Sequence, residues 1–401
     1  MQTELAAFIR DTPEGREADA ILRKCVHCGF CTATCPTYQL LGDELDGPRG
    51  RIYLVKQVLE GAAPTARTQL HLDRCLTCRA CETTCPSGVQ YGRLADIGRG
   101  IVEARVPRAP WARAKRAALA FALPRGRLFG TLLGLGRMFR FLFARLVPAP
   151  AAPAGDWPAP RHARRMLALA GCVQPVLAPR INAAAARVLD RMGVSLIEAP
   201  GARCCGGLRF HMNYQERGRD DMRALIDAWW PYVERGEVEA IVVTASGCGV
   251  TVKEYGQLLA HDPAYGDKAA RIAAMTRDLS EVIPPEAIPE RAGLGRIAFH
   301  SPCSLQHGQQ LRGGAERLLA RAGFELAPVP DAHLCCGSAG TYSILQPVLA
   351  EELRSRKLVA LQSGQPVGIV TANIGCLVHL QAGAGVPVAH WVELLDEALQ
   401  G

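Results

Sequence analysis

The sequence predicts a multidomain α+β protein: a helical, cysteine-rich N-terminal domain, then a pair of α/β lobes related by pseudo-two-fold symmetry. Three observations carry this prediction. Two cysteine–proline runs recur at an offset of 50 residues near the N-terminus. A different pattern, built around Cys-Cys-Gly, occurs twice after residue 161, each copy threaded through the same succession of apolar strands and helices. The 401 residues also exceed what one ordinary core accommodates. The expected units are residues 1–104, 105–160, 161–290 and 291–401.

Composition narrows the class. Hydrophobic residues at 49% and charged residues at 21% suit a globular chain without large disordered parts. Residues 1–20 read as a charged helical lead-in with no apolar core of signal-peptide length, so a cytoplasmic protein is expected. In a reducing compartment, sixteen cysteines point to metal or catalytic thiols rather than disulfides. The formal charge of +8 is local. Between Glu103 and Asp156 there is no acid but ten bases, and removing those ten leaves −2 for the remainder. A basic surface for nucleic acid is therefore not expected.

Residues 21–104 hold the two runs. Cys25, Cys28, Cys31 and Cys35, the last followed by Pro36, fit C-x2-C-x2-C-x3-C-P, and Cys75, Cys78, Cys81 and Cys85 with Pro86 repeat it. Three thiolates at steps of three residues wrap one iron–sulfur cube, and the fourth, turned by proline, points to a second cube. This assigns Cys25, Cys28, Cys31 and Cys85 to one [4Fe–4S] cluster and Cys35, Cys75, Cys78 and Cys81 to the other. Structural zinc needs two separated ligand pairs and does not call for a triplet plus Cys-Pro. The insert between the runs, with an amphipathic helix from about Ile52 to Leu59, is too long for a compact β-containing ferredoxin and looks like an α-helical ferredoxin domain. Arg49 and Arg51 are expected to pair with Asp43, Glu44 or Asp46 at the surface; raising a cluster's potential is the alternative.

Residues 105–160 are basic and apolar and end in a Pro/Ala linker from Pro148 to Pro160. The apolar run Leu128–Gly136 is too short to span a bilayer. Leu128–Val147, with Arg137, Arg140 and Arg145, reads as an amphipathic basic helix for a membrane surface or a partner subunit.

In the last two units, strands Met166–Ala170 and Ile297–His300 each lead to a cysteine, Cys172 or Cys303. Helices Ala183–Met192 and Ala315–Ala322 follow, closed by Gly193 or Gly323. Next come Cys204-Cys205-Gly206 and Cys335-Cys336-Gly337, then buried-type strands Ala240–Thr244 and Gly368–Thr371 running to Cys248 and Cys376. The first cysteine precedes the pair by 32 residues in both copies. Parallel sheets with cysteines at the strands' carboxyl ends are expected. Vicinal cysteines pair poorly with each other yet can both reach one polynuclear cluster, and the glycine lets backbone approach a ligand. Cys172, Cys204, Cys205, Cys248, Cys303, Cys335, Cys336 and Cys376 are thus candidate ligands of a further cluster, with buried structural thiols as the alternative. His300, His307 and His333 are expected to make ordinary hydrogen bonds to loop backbone, with proton carriage at a redox site as the alternative.

These lobes resemble the CCG-domain proteins, which include heterodisulfide reductase subunits. That family brings a fifth cysteine from a terminal C-x2-C, where this chain has Ala245 and Asn373. The residues alone leave open whether each lobe binds a cluster, both share one, or neither binds. No Gly-x-Gly-x-x-Gly turn joins a strand to a helix, so no nucleotide site of Rossmann type is expected.

The full pattern resembles the iron–sulfur subunits of flavin dehydrogenases, those of glycolate oxidase (glycolate dehydrogenase) above all. The stretches Cys25–Tyr38, Gly42–Arg51, Thr244–Gly249 and Leu334–Tyr342 carry the resemblance. It implies a subunit that relays electrons from FAD-binding partner subunits, which oxidise glycolate to glyoxylate, toward a membrane quinone. Its expected place is the cytoplasmic face of the inner membrane. Lactate or glycerol-3-phosphate dehydrogenase subunits, or a thiol-redox enzyme of heterodisulfide reductase type, are the alternatives.

Overall fold

The computed structural model describes residues 1–138 and 151–400. Helix α1 (Pro13–Lys24) starts where Thr12 Oγ1 accepts from Gly15 N at 3.0 Å and proline takes the first helical position. Its apolar face of Ala18, Ile21 and Leu22 packs on α2 (Pro48–Leu59) and α3 (Tyr91–Arg105). Gly98 lets α3 come close, since a Cβ there would meet Val55 Cγ2 at 2.5 Å. All described regular structure in this N-terminal part is helical. The short helices carrying cysteines, Phe30–Ala33 and Ala80–Thr84, hang on this frame.

Two helices follow, α4 (Pro110–Ala122) and α5 (Gly126–Met138). The single helix expected over Leu128–Val147 therefore starts earlier, at Gly126, and its part beyond Met138 lies outside the described residues. The charge of the segment is also partly balanced from outside it. Arg108 pairs with Asp73 at 2.6 Å and with Glu103, and Arg116 with Asp73 at 3.2 Å. Among the described residues no helix is long and apolar enough to cross a membrane.

The first lobe runs β1 (Arg164–Ala168), α6 (Arg180–Arg191), β2 (Val194–Ile197), α7 (Gln215–Glu234), β3 (Ala240–Val243), α8 (Ser246–Lys253) and β4 (Thr276–Asp278). The second runs β5 (Arg296–His300), α9 (Gly314–Arg321), β6 (Glu325–Ala327), α10 (Pro347–Gln362), β7 (Gly368–Thr371), α11 (Ile374–Gln381), β8 (Val388–His390) and α12 (Trp391–Gln400). Each lobe has one four-stranded parallel sheet, ordered β2-β1-β3-β4 and β6-β5-β7-β8. The central strands β3 and β7 are short and apolar because helices cover both faces. The common strand order is the pseudo-two-fold relation that the matched cysteine intervals predict.

The lobes exchange their last helices. α12, which closes the second lobe, lies along α6 of the first, and the short helix Leu279–Val282, which closes the first, meets α9 of the second. Trp391, Val392 and Leu395 share one core with Ala185, Val188 and Leu189. Asp396 adds ion pairs to Arg187 at 2.7 Å and Arg191 at 3.0 Å.

Candidate metal centres

Both N-terminal runs bend the same way. His27 and Gly29 flank Cys28 with φ of 56° and 87°, and Thr77 and Arg79 flank Cys78 with φ of 53° and 61°. Left-handed backbone on each side of the middle cysteine turns the run into a loop with its thiols inward, at a cost of about 1–2 kcal/mol for each non-glycine residue. The strain recurs at the 50-residue offset, so it belongs to the motif rather than to an accident of one loop.

Each loop walls a recess. The first, with about 440 Å³ between its walls and its mouth included, is lined by Cys25, Cys28, Cys31, Cys81 and Cys85. The second, of about 300 Å³, is lined by Cys35, Cys75, Cys78 and Cys81. Cys81 and Tyr91 stand in the partition between them. Each recess gathers the four cysteines that the spacing groups together, the Cys-Pro cysteine of the other run among them, and Cys81 lines both.

All these thiols are free. Burial, then Cys25 and the other neighbouring thiols, push Cys31 up to about 11. Burial pushes Cys78 and Cys81 well above the ordinary thiol value, and Cys35 and Cys75 add to it. Such crowded sulfurs do not favour sharing a pocket as thiolates without a cation between them. Four inward sulfurs around a recess fit a soft, polynuclear iron–sulfur group, whose ligands must shed their protons to bind it.

Cys75 is the exception. Burial alone would raise it, but Arg51 and Arg99, with Thr77 N–H donating to its sulfur at 3.4 Å, hold it below the ordinary value. Arg51 corrects the expectation of a surface pair. Only 1% exposed, it reaches Asp46 at 3.4 Å, His71 O at 2.7 Å and Thr37 Oγ1 at 3.1 Å. Asp46 also accepts from Arg74 at 2.8 Å. Arg49 behaves as expected, pairing with Glu44 at 2.6 Å near solvent. Sequence reasoning missed Arg99, whose guanidinium holds the second loop through Leu72 O, Cys75 O and Thr77 Oγ1 at 2.6–3.0 Å. Its helical spacing from Tyr91, Ala95 and Val102, all on the buried side of α3, was the available signal.

In the lobes the eight remaining cysteines form two strings, at the carboxyl ends of the sheets. Hydrogen-bond contacts link Cys172 to Cys204, Cys204 to Cys205 and Cys205 to Cys248 in the first. The second repeats them as Cys303, Cys335, Cys336 and Cys376, with Cys303 Sγ 3.4 Å from Cys335 Sγ. Asn373, which stands where a fifth cysteine would be, donates from Nδ2 to Cys376 Sγ at 3.5 Å. The glycine after each pair lets a long helix approach the turn. Gly206 and Gly337, at φ of 80° and 89°, lie against long helices; a Cβ would meet Gly218 O at 2.4 Å in α7 and Ala350 O at 2.6 Å in α10.

The two strings have different neighbours. Cys303 and Cys335 share an apolar cluster with Leu76, Cys78 and Tyr342, so the second string adjoins the second recess. Tyr342 Oη donates to Arg74 O at 3.1 Å, and Thr83 Oγ1 lies 2.8 Å from His307 Nδ1. The first string lies instead near α5, where a Cβ on Gly126 would sit 3.0 Å from Cys172 O. His307 makes the ordinary backbone contact expected of it, with Nε2 2.9 Å from His333 O. His300 does not: it is buried and neither ring nitrogen has a hydrogen-bond partner.

Residues 21–89 match the 4Fe-4S dicluster domain family, and residues 166–253 and 297–381 match the cysteine-rich (CCG) domain family. Fold and donor sets together define an iron–sulfur protein with a helical dicluster domain ahead of twin cysteine-rich lobes. The chain is 54% identical to the glycolate oxidase iron-sulfur subunit of Escherichia coli (strain K12) over the full length of both. It is 29% identical to the "Probable glycolate oxidase iron-sulfur subunit" of Bacillus subtilis (strain 168), covering 94% of each chain. Lactate utilization protein A of Geobacillus kaustophilus is 24% identical over 56% of this chain and 95% of that one. The chain belongs to the family of glycolate oxidase iron–sulfur subunits.

Proposed function

We propose that this chain relays electrons inside a glycolate-oxidising complex, taking them from an FAD-binding partner subunit and delivering them toward a membrane quinone. Cys25, Cys28, Cys31 and Cys85 would hold one [4Fe–4S] cluster, and Cys35, Cys75, Cys78 and Cys81 the other. Bound there, such clusters supply one-electron chemistry to a flavin that yields electrons in pairs. The reading rests on one observation above the others: two recesses, each lined by cysteines from both runs, share Cys81 and Tyr91 in their walls.

The residues around the recesses have separable tasks. Arg51 and Arg99 bring fixed positive charge to the second recess and favour the Cys75 thiolate. Arg79, paired with Glu254, ties the second loop to the first lobe. Exposed Trp111, Phe121, Leu135 and Met138, interspersed with exposed Arg113, Arg125 and Arg127, support peripheral contact with an anionic inner-membrane surface.

The test is anaerobic co-expression with the flavin subunits of the same complex. Glycolate should bleach the cluster absorbance of this chain only in their presence, and lactate or glycerol 3-phosphate should do so far more slowly. Equal bleaching by lactate would assign the chain to another dehydrogenase. Deleting residues 125–147 should release the complex from membranes while glycolate-driven bleaching persists; retention on membranes would remove the surface contact from the reading.

A further inference from the structure

His300 ends β5, directly before the Ser301-Pro302-Cys303 turn, and only 2% of it is exposed. Both ring nitrogens are buried without a hydrogen-bond partner. Leaving a buried polar group unmatched costs about 1–3 kcal/mol, so a native protein that retains one normally has a use for it. His300, Cys336 and Cys376 have ligand atoms all within 4.8 Å of one another, and all three side chains are buried. Cys335, adjacent in sequence to Cys336, has its sulfur 3.4 Å from that of Cys303. Four thiols and an imidazole therefore adjoin one another in the second lobe.

We infer that His300 is a metal ligand, and that the second lobe holds an iron–sulfur cluster bound by Cys303, Cys335, Cys336, Cys376 and the His300 imidazole. Five donors are more than one tetrahedral ion such as structural zinc takes, which favours a polynuclear centre. The first lobe has no such donor. Counting back from the first cysteine of each string, Leu169 stands where His300 does, and it belongs to the apolar core. The pseudo-symmetric lobes thus differ in ligand chemistry as well as in surroundings, and the one with the histidine adjoins Cys78. The imidazole takes the role left by Asn373, whose amide is turned to the Cys376 sulfur.

The inference rests on reading the chain as an iron–sulfur subunit, and the two N-terminal clusters report on that reading within the same sample. Full-length protein, made under iron-replete anaerobic conditions, is assayed for iron, sulfide and zinc and examined by pulsed EPR. Signals from the two dicluster sites check the parent reading. The expected wild type carries iron beyond the roughly eight atoms of two [4Fe–4S] clusters, and shows strong coupling to a directly bound nitrogen. His300→Leu should lose that coupling and the excess iron assigned to the second lobe, keep the dicluster signals, and melt at a lower temperature. His300→Cys should regain the iron without the nitrogen coupling. Wild type with only about eight irons, zinc in place of the excess iron, or no nitrogen coupling would overturn the inference even if His300→Leu failed to fold. So would a His300→Leu protein with unchanged iron and a higher melting temperature, the behaviour of a buried imidazole with no ligand.

Discussion

Arg49 and Arg51 sit two positions apart and should respond very differently to loss of charge, because only one is out of water. Arg51 faces Asp46 and the Cys75 and Cys35 sulfurs from a site with 1% exposure. Replacing it by methionine leaves Asp46 short of one cation, although Arg74 remains at 2.8 Å. Removing one partner of a buried pair typically costs about 3–5 kcal/mol, so Arg51→Met should lose about 3 kcal/mol in denaturant unfolding. It should also make the cluster proposed at Cys35, Cys75, Cys78 and Cys81 harder to reduce, seen as a more negative midpoint in an EPR redox titration. Arg49→Met removes a solvent-exposed pair and should cost less than about 1 kcal/mol. Equal effects of the two substitutions would mean that burial does not set the strength of this charge. The Arg49–Glu44 pairing follows from spacing along the chain. The burial of Arg51 does not, because His71 and Thr37 reach it from other segments.

Among the elements, the Cys-Cys-Gly turns show how much of a motif is visible before its packing is. Much of the order of strands and helices was legible, because β1, β3, β5 and β7 hold short apolar runs and glycine or proline stands at the limits of α6, α9 and α10; β4 and β8 were not legible, β4 being Thr-Arg-Asp. The cysteine intervals made the repeat legible as well. What the glycine meets was not, since α7 and α10 come later in the chain and only the folded lobe lays them across the turn. Gly337→Ala would force a φ of 89° on an alanine and push its Cβ to 2.6 Å from Ala350 O. Left-handed strain and overpacking together should cost about 3 kcal/mol. Gly340 is the control: its φ is also positive, at 63°, but nothing lies within 4 Å of its Cβ position, so Gly340→Ala should cost only about 1 kcal/mol. Denaturant midpoints of the two variants measure the difference, and closely similar values would show that α10 yields to the added methyl. The closeness of His300 to Cys336 and Cys376 was illegible for the same kind of reason. Sequence marks it as the polar end of an apolar strand, while the proximity of Cys336 and Cys376 depends on two other strands' loops.

Across the whole molecule, the exchange of terminal helices puts a titratable residue at the same place in each lobe, with opposite sense. Asp278 pairs with Val243 at the end of β4, and His390 with Thr371 at the end of β8, each leading into the helix that crosses to the other lobe. Burial pushes the Asp278 carboxyl up to about 6, despite hydrogen bonds from Ser280, and pushes the His390 imidazole down to about 4, despite its contact with Thr244 O. An ionised Asp278 is thus penalised in the folded protein at neutral pH, and the penalty fades as pH falls through 6 toward 3.8, where the unfolded carboxyl is protonated too. His390 is neutral in both states at neutral pH; its penalty grows as pH falls from 6.5, where the unfolded ring takes a proton, toward 4. Each shift corresponds to about 3 kcal/mol, and over the shared window they act in opposite directions. Asp278→Asn and His390→Asn both keep a side chain able to cap the following helix. Asp278→Asn should therefore stabilise the protein at about pH 7.5, by up to about 3 kcal/mol, with the gain vanishing near about pH 4. His390→Asn should be nearly neutral at about pH 7.5 and stabilising by a similar amount near about pH 4.5. Denaturant unfolding of each variant against wild type at the same pH cancels acid effects on the clusters. Parallel pH profiles for the two variants would mean that these positions do not carry the opposed charges.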